Sequence, residues 1–198
     1  MTFKEFLKSK TFKCIIVLTT IALVCGGLLA ILNDVLYISE EEKTQKAIKK
    51  IYGKDMEYTV VQIDEQDKTN KYGQIEAIYA FKDGNYLIQA TGIDGYQSGT
   101  ITAWVVAEFK DGKFNGLNSV SEASNEKQTL MSKFNKDFVN VYVNKDREGV
   151  INGKYFNLYD SDKEIGNISS GATKSTNAYN NAVNCALYYI REKLDGGK

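Results

Sequence analysis

Apolar residues form three kinds of pattern along the chain. The first is an uncharged, mostly apolar run from Cys14 to Leu32. At about 1.5 Å rise per residue, its roughly 19 residues match the ~30 Å hydrocarbon core of a bilayer, which predicts one transmembrane helix. The second is a series of stretches rich in β-branched and aromatic residues: Tyr58 to Ile63, Ile75 to Phe81, Tyr86 to Thr91 and Thr100 to Phe109. The turn formers Lys82-Asp83-Gly84-Asn85 and Lys110-Asp111-Gly112-Lys113 separate neighbours, predicting hairpins and an antiparallel sheet. The third is helical spacing. Ala178, Ala182, Val183, Ala186, Leu187, Ile190 and Leu194 recur at three- and four-residue intervals, with Gly196-Gly197 as the stop.

Weaker signals fill the gaps. Asp34 to Tyr52 reads as a charged juxtamembrane helix with an apolar stripe of Ala47, Ile48 and Ile51, closed by Gly53. Its Glu40-Glu41-Glu42 run and Lys49-Lys50 pair read as a solvated face. Asn125 to Phe134 is expected as a short helix with Leu130, Met131 and Phe134 on its apolar side. Asp137 to Val143 is expected as a strand, and Asn144 to Gly166 as polar loop. The class is α+β: an N-terminal single transmembrane helix, then an antiparallel sheet packed by a few helices. The expected divisions are 1–13 cytoplasmic, 14–33 transmembrane, 34–57 juxtamembrane and 58–198 a ligand-binding domain, whose roughly 140 residues suffice for one core.

Charge sets the orientation. Lys4, Lys8, Lys10 and Lys13, against the single acid Glu5, precede the apolar run, whereas Asp34 and Glu40-Glu41-Glu42 follow it. This bias predicts a single-pass protein of the cell membrane with its N-terminus cytoplasmic and its C-terminal domain extracytoplasmic. A cleaved signal peptide is the competing reading; Leu28 is too large for the first position of an A-x-A-like cleavage site. Lipid attachment at Cys25 is disfavoured by Val24 before it. Gly26-Gly27 offers a surface for close helix packing within the span.

Composition then excludes several chemistries. The 198 residues carry 25 basic and 25 acidic side chains and no His. Without His, neither a Ser-His-Asp or Cys-His nucleophile nor a His-ligated metal can be built. Three Cys, at 14, 25 and 185, cannot form an iron–sulfur quartet or a closed zinc site within one chain. Cys185 reads as a small buried hydrophobe. Redox chemistry would therefore need an organic cofactor. Balanced charge without a basic aromatic stripe argues against nucleic acid. The 13 Tyr and one Trp read mostly as sheet-face residues.

The richest local motif is Ser170-Gly171-Ala172-Thr173, followed at once by Lys174-Ser175-Thr176 and the C-terminal helix. Its small residues let backbone approach a ligand, Thr173 offers a hydroxyl, and Ser175 or Thr176 is the expected N-cap. Helix-start N–H groups favour an anion such as phosphate. An ordinary capped helix accounts for the same residues.

Ser170-Gly171-Ala172-Thr173 resembles the flavinylation motif of the FMN-binding domain family, which includes the G subunit of the Rnf electron-transport complex and the C subunit of the sodium-pumping NADH:quinone oxidoreductase. The turn Gly95-Tyr96-Gln97-Ser98-Gly99 and the hairpin Phe109 to Gly116 extend the resemblance, which spans 90–194. It implies FMN joined through its phosphate to Thr173, with Ser170, Gly171, Ala172, Lys174, Ser175 and Thr176 around it. It implies an electron-transfer subunit of an ion-translocating ferredoxin:NAD oxidoreductase complex, not a catalyst alone. The implied partners are the other membrane subunits, the membrane itself and, during maturation, a flavin transferase. A stand-alone FMN protein for extracellular electron transfer and a flavin-free membrane-anchored interaction module are the alternatives. The chain departs from the family pattern at Asn167, where an acidic residue is usual, and at Ser121 to Asn125, where a Glu-Thr-Pro-Gly loop is common.

Overall fold

The computed structural model describes residues 10–36, 39–143 and 171–195. Ser170, Asn167, Lys4, Glu5, Lys8, the expected loop 144–166 and the expected stop Gly196-Gly197 lie outside the described residues. Contacts divide the chain into two units, 1–46 and 47–198.

The first unit is built on α1 (Lys10–Leu36). Its segment Phe12–Leu32 has a mean hydropathy of 2.7 and is long and apolar enough to cross a membrane. Ile15, Ile16, Leu23 and Leu29 are all exposed along it. The helix carries Asp34 to Leu36 within it, so the charged helix starts later than its sequence suggested, as α2 (Glu40–Tyr52). Ser39 caps α2 by accepting a hydrogen bond from the Glu42 amide at 3.1 Å. At its other end Gly53 takes a left-handed φ of +73° and donates to the Lys49 carbonyl at 2.9 Å.

The second unit holds a six-stranded antiparallel sheet in the order β1-β3-β4-β5-β6, with the short β2 pairing β3. The strands are β1 (Tyr58–Val60), β2 (Thr69–Asn70), β3 (Gly73–Phe81), β4 (Tyr86–Gly92), β5 (Ile101–Lys110) and β6 (Lys113–Asn125). The hairpin after β5 turns on Asp111 and Gly112, both at positive φ (55° and 74°), which matches the right-handed twist of the strands it joins. In β5 every residue from Ala103 to Val106 and on to Ala107 is buried, because both faces of the sheet are covered. Side chains alternate between those faces. Ile88, Ala90, Ala103, Val105 and Ala107 face one core; Leu87, Trp104 and Val106 face the other.

Two helices cover the larger core: α3 (Lys136–Val143) and α4 (Thr173–Tyr189), the latter continuing as a π-helical turn over Ile190–Leu194. Ala178, Ala182, Val183, Ala186 and Leu187, spaced as expected for one helix face, pack on the sheet. Each fully buried aliphatic side chain of Leu or Ile size contributes roughly 1.5–3 kcal/mol. Tyr179 lies at the centre of an aromatic group, with ring centroids 5.2 Å from Phe138, 5.3 Å from Phe134 and 5.8 Å from Tyr142. On the other face Ile48 and its neighbours Ala47, Ile51 and Tyr52 pack with Tyr79, Phe81, Leu87, Trp104 and Val106.

Two expected elements are replaced. The stretch expected as a helix, 125–134, holds only the end of β6 and one 3₁₀ turn, Met131–Lys133. The segment expected as a strand, 137–143, is helix α3: Asn135 Oδ1 caps it, accepting from the amides of Asp137 and Phe138 at 3.0 and 3.2 Å. Phe138, Val141 and Tyr142, at helical spacing, are buried on it. Ser121 to Asn125, for which the sequence assigned no element before Asn125, pairs with β5, with Glu122 opposite Ala103 and Ser124 opposite Thr102.

Candidate functional site

The N-terminus of α4 is held against the sheet by close backbone packing. Gly92, the last residue of β4, lies so near the helix that a Cβ there would meet Ala178 O at 2.1 Å. Beside it, the Asn181 amide donates to the Ile93 carbonyl at 2.9 Å and the Asn177 amide to the Asp94 carbonyl at 3.2 Å. These bonds dock the 93–99 turn on the helix face that begins at Thr173.

The helix start differs from the expectation. Its first residue is Thr173, and Ala172, not Ser175 or Thr176, occupies the cap position, without a side-chain hydrogen bond to the helix amides. Gly171 before it takes a φ of +86°, which turns the chain into the helix. Thr176 lies one turn in and is buried; its amide and hydroxyl both donate to the Ala172 carbonyl, at 2.8 and 3.0 Å. It is not among the residues lining the cleft at this helix end. Ser175 is buried as well, and its hydroxyl donates to Gln128 Oε1 at 2.7 Å. Thr173 and Lys174 remain exposed. The amides of Thr173, Lys174 and Ser175 precede the first intrahelical bond and have no acceptor within the helix.

These groups border a cleft of about 380 Å³ lined by Tyr96, Thr129, Leu130, Gly171, Ala172, Thr173, Lys174 and Ser175. That volume falls within the roughly 300–1,000 Å³ typical of small-molecule sites. The structure thus brings together five of the motif residues, Gly171 to Ser175, with Tyr96 of the glycine-flanked turn. Neither spacing nor residue type marks Thr129 and Gln128 in the sequence, and Leu130 is named there only for the apolar side of the helix expected over 125–134, the stretch to which all three belong.

A second cleft, of about 420 Å³, lies at the opposite end of α4, lined by residues including Asp67, Asn70, Lys71, Tyr188, Tyr189 and Lys193. Three of its polar groups are engaged: Lys193 pairs with Asp67 at 2.7 Å, and the Asn70 amide donates to the Cys185 carbonyl at 3.2 Å. The Lys193 pKa is raised, chiefly by its hydrogen bond to Asp67. The Cys185 thiol, wholly buried between the clefts, is pushed up to about 12 by burial, against the lowering effect of its hydrogen bond from Asn70. Such a thiol is a poor nucleophile. Among the described residues no group of three or more His, Cys, Asp or Glu side chains could hold a metal ion.

No protein-family model, no curated protein and no solved structure matches this chain.

Proposed function

We propose that this chain is a membrane-anchored flavoprotein that carries FMN on Thr173 and relays electrons in an Rnf-type ferredoxin:NAD oxidoreductase complex coupled to ion translocation. The observation that carries the reading is the setting of Thr173. Its hydroxyl belongs to an exposed first residue of a 17-residue helix whose cap residue, Ala172, makes no side-chain bond to the opening amides, at a cleft shared with Tyr96 and Leu130. A phosphate esterified there would lie against the amides of Thr173, Lys174 and Ser175, with the Lys174 ammonium beside it. Gly171 and Ala172 line the cleft beside that ester, and Gly171, which has no side chain, leaves the approach open. Bound FMN supplies one- and two-electron redox chemistry. The chain's own share is to hold the phosphate, to tether the site to the membrane and to wall the cleft with Tyr96 and Leu130.

In this reading α1 is a single span of the cell membrane, its N-terminus cytoplasmic and the domain after it extracytoplasmic. Exposed apolar side chains along Phe12–Leu32 support a lipid environment. A covalent bond would keep a soluble cofactor from diffusing away outside the cell. The partners are the membrane subunits of the complex and, during maturation, a flavin transferase.

The test is production of the chain together with a flavin transferase, followed by a denaturing gel viewed for flavin fluorescence. A fluorescent band that is lost in Thr173→Ala and kept in Thr173→Ser supports the reading. A dark wild-type band contradicts it.

A further inference from the structure

We propose that Gln128 is a positioning residue that sets where the Tyr96 ring stands relative to Thr173 across the cleft. Tyr96 is 42% exposed, so packing covers its ring only in part and the backbone of the turn that carries it has a large share in placing it. Asn177 and Asn181 hold the start of that turn, and one further side chain bonds the Tyr96 backbone itself. Gln128 Oε1 accepts from the Tyr96 amide at 3.1 Å, while its Nε2 donates to the Glu126 carbonyl at 2.7 Å and, more weakly, to the Tyr96 carbonyl at 3.4 Å. The same Oε1 accepts from the Ser175 hydroxyl at 2.7 Å, which ties the turn to the first turn of α4. A single amide thus joins three segments that the chain order keeps apart: the 95–99 turn, the residues after β6 and the helix that begins at Thr173.

Two independent features show that the turn is tightly packed beside this amide. A Cβ on Gly95 would meet Gly99 O at 2.5 Å and Gln128 Nε2 at 2.8 Å, and one on Gly99 would meet Glu126 O at 2.2 Å and Gln128 Nε2 at 2.7 Å. Between and before them, Asp94, Gln97 and Ser98 adopt positive φ of 66°, 51° and 56°. Such conformations cost of order 1 kcal/mol or more for residues other than glycine and persist only where surrounding contacts hold them. Three of them in five residues, at the wall of a cleft, mark a backbone held in place by its surroundings. Removing the Gln128 amide releases that hold on one side and the Ser175 hydroxyl on the other.

This inference rests on the geometry of the cleft and needs no cofactor. Its test uses the full chain with Cys14→Ser and Cys25→Ser, Thr173→Cys carrying a bimane fluorophore, and Tyr96→Trp as the quencher; buried Cys185 stays unlabelled in the folded protein. Tyr96→Phe in the same background gives the unquenched reference. Quenching of bimane by the indole at 96 is expected, and Gln128→Met, which keeps the volume and removes the hydrogen bonds, is expected to lose most of it at unchanged far-ultraviolet circular dichroism. Ser175→Ala, which removes only the tie to α4, is expected to lose part of it. Full quenching retained in folded Gln128→Met overturns the proposal. If that variant does not fold, full quenching retained in Ser175→Ala overturns it instead. A stability role alone would lower the melting temperature of either variant and leave quenching of the folded protein as it was. Because the samples carry no flavin, protein that proves unable to accept FMN would contradict the proposed function and leave this test intact.

Discussion

Gly92 and Ala178 touch backbone to backbone: a Cβ on Gly92 would stand 2.1 Å from the Ala178 carbonyl oxygen and, in the same movement, 2.2 Å from the Ala182 amide nitrogen. Neither neighbour is the free end of a side chain, so neither can yield without shifting α4 as a whole. Gly92→Ala is expected to destabilise the domain by about 3 kcal/mol, the upper end of ordinary overpacking costs. Urea unfolding followed by circular dichroism measures it. Because the shift falls on the helix that begins at Thr173, the variant is also expected to lose flavin attachment before it loses its fold.

The sheet was legible in the chain because β3, β4 and β5 combine β-branched residues with unambiguous turns. The Asp111-Gly112 pair at positive φ is a direct reading of residue type into backbone. Strand β6 was not legible. Its Asn115-Gly116-Leu117-Asn118-Ser119 stretch has little strand propensity and is held in the sheet by pairing with β5 through three register irregularities. The helix found at 137–143, where a strand was expected, also reflects context over residue type. Phe138, Val139, Val141 and Tyr142 favour strand by type, yet their burial at three- and four-residue spacing and the Asn135 cap select a helix. Of the residues at the cleft, Thr173 and Tyr96 are named from the sequence, whereas Gln128 is not, since only the folded chain brings it to Tyr96 and Ser175. The expected Ser175 or Thr176 cap failed because both hydroxyls serve other acceptors, Gln128 and the Ala172 carbonyl.

Gly171 gives a second stability prediction of a different kind. Among the described residues nothing lies within 4 Å of its Cβ position, so the cost of a side chain there is set by its φ of +86°. Gly171→Ala is expected to cost about 1–2 kcal/mol, and Gly171→Asn less, because Asn tolerates the left-handed region. Thermal unfolding of the two variants side by side checks the order.

Tyr179 is fully buried, and among the described residues its hydroxyl has no hydrogen-bond partner. Burial, with a smaller contribution from the charge of Glu122, raises its pKa and keeps it protonated. Tyr179→Phe keeps all three ring contacts and removes a buried polar group whose burial unpaired costs roughly 1–3 kcal/mol. Stability equal to or above wild type is expected in urea unfolding. A clear loss would mean that the hydroxyl has an acceptor in the folded protein.

Alkaline stability follows from Cys185 and Tyr52. Burial raises the Cys185 thiol from 9.0 to about 12, and burial with the nearby Asp83 charge raises the Tyr52 phenol from 10.0 to about 12. Above pH 9 the unfolded chain gives up these protons while the folded protein keeps them, so the folded state binds more protons and stability falls as pH rises. The contribution is fully present below pH 9 and is lost toward pH 12. Unfolding midpoints measured from pH 8 to 11 are expected to decline, with a shallower decline in Cys185→Ala. The same burial predicts that Cys185 resists alkylation in the folded protein and reacts once urea unfolds it.

The most direct measurement of the central claim is the mass of the Thr173-containing peptide from protein isolated from native membranes. The account predicts a peptide heavier by FMN less one water, with the modification assigned to Thr173 by fragmentation and absent from Thr173→Ala. An unmodified peptide recovered in full from native membranes would contradict it.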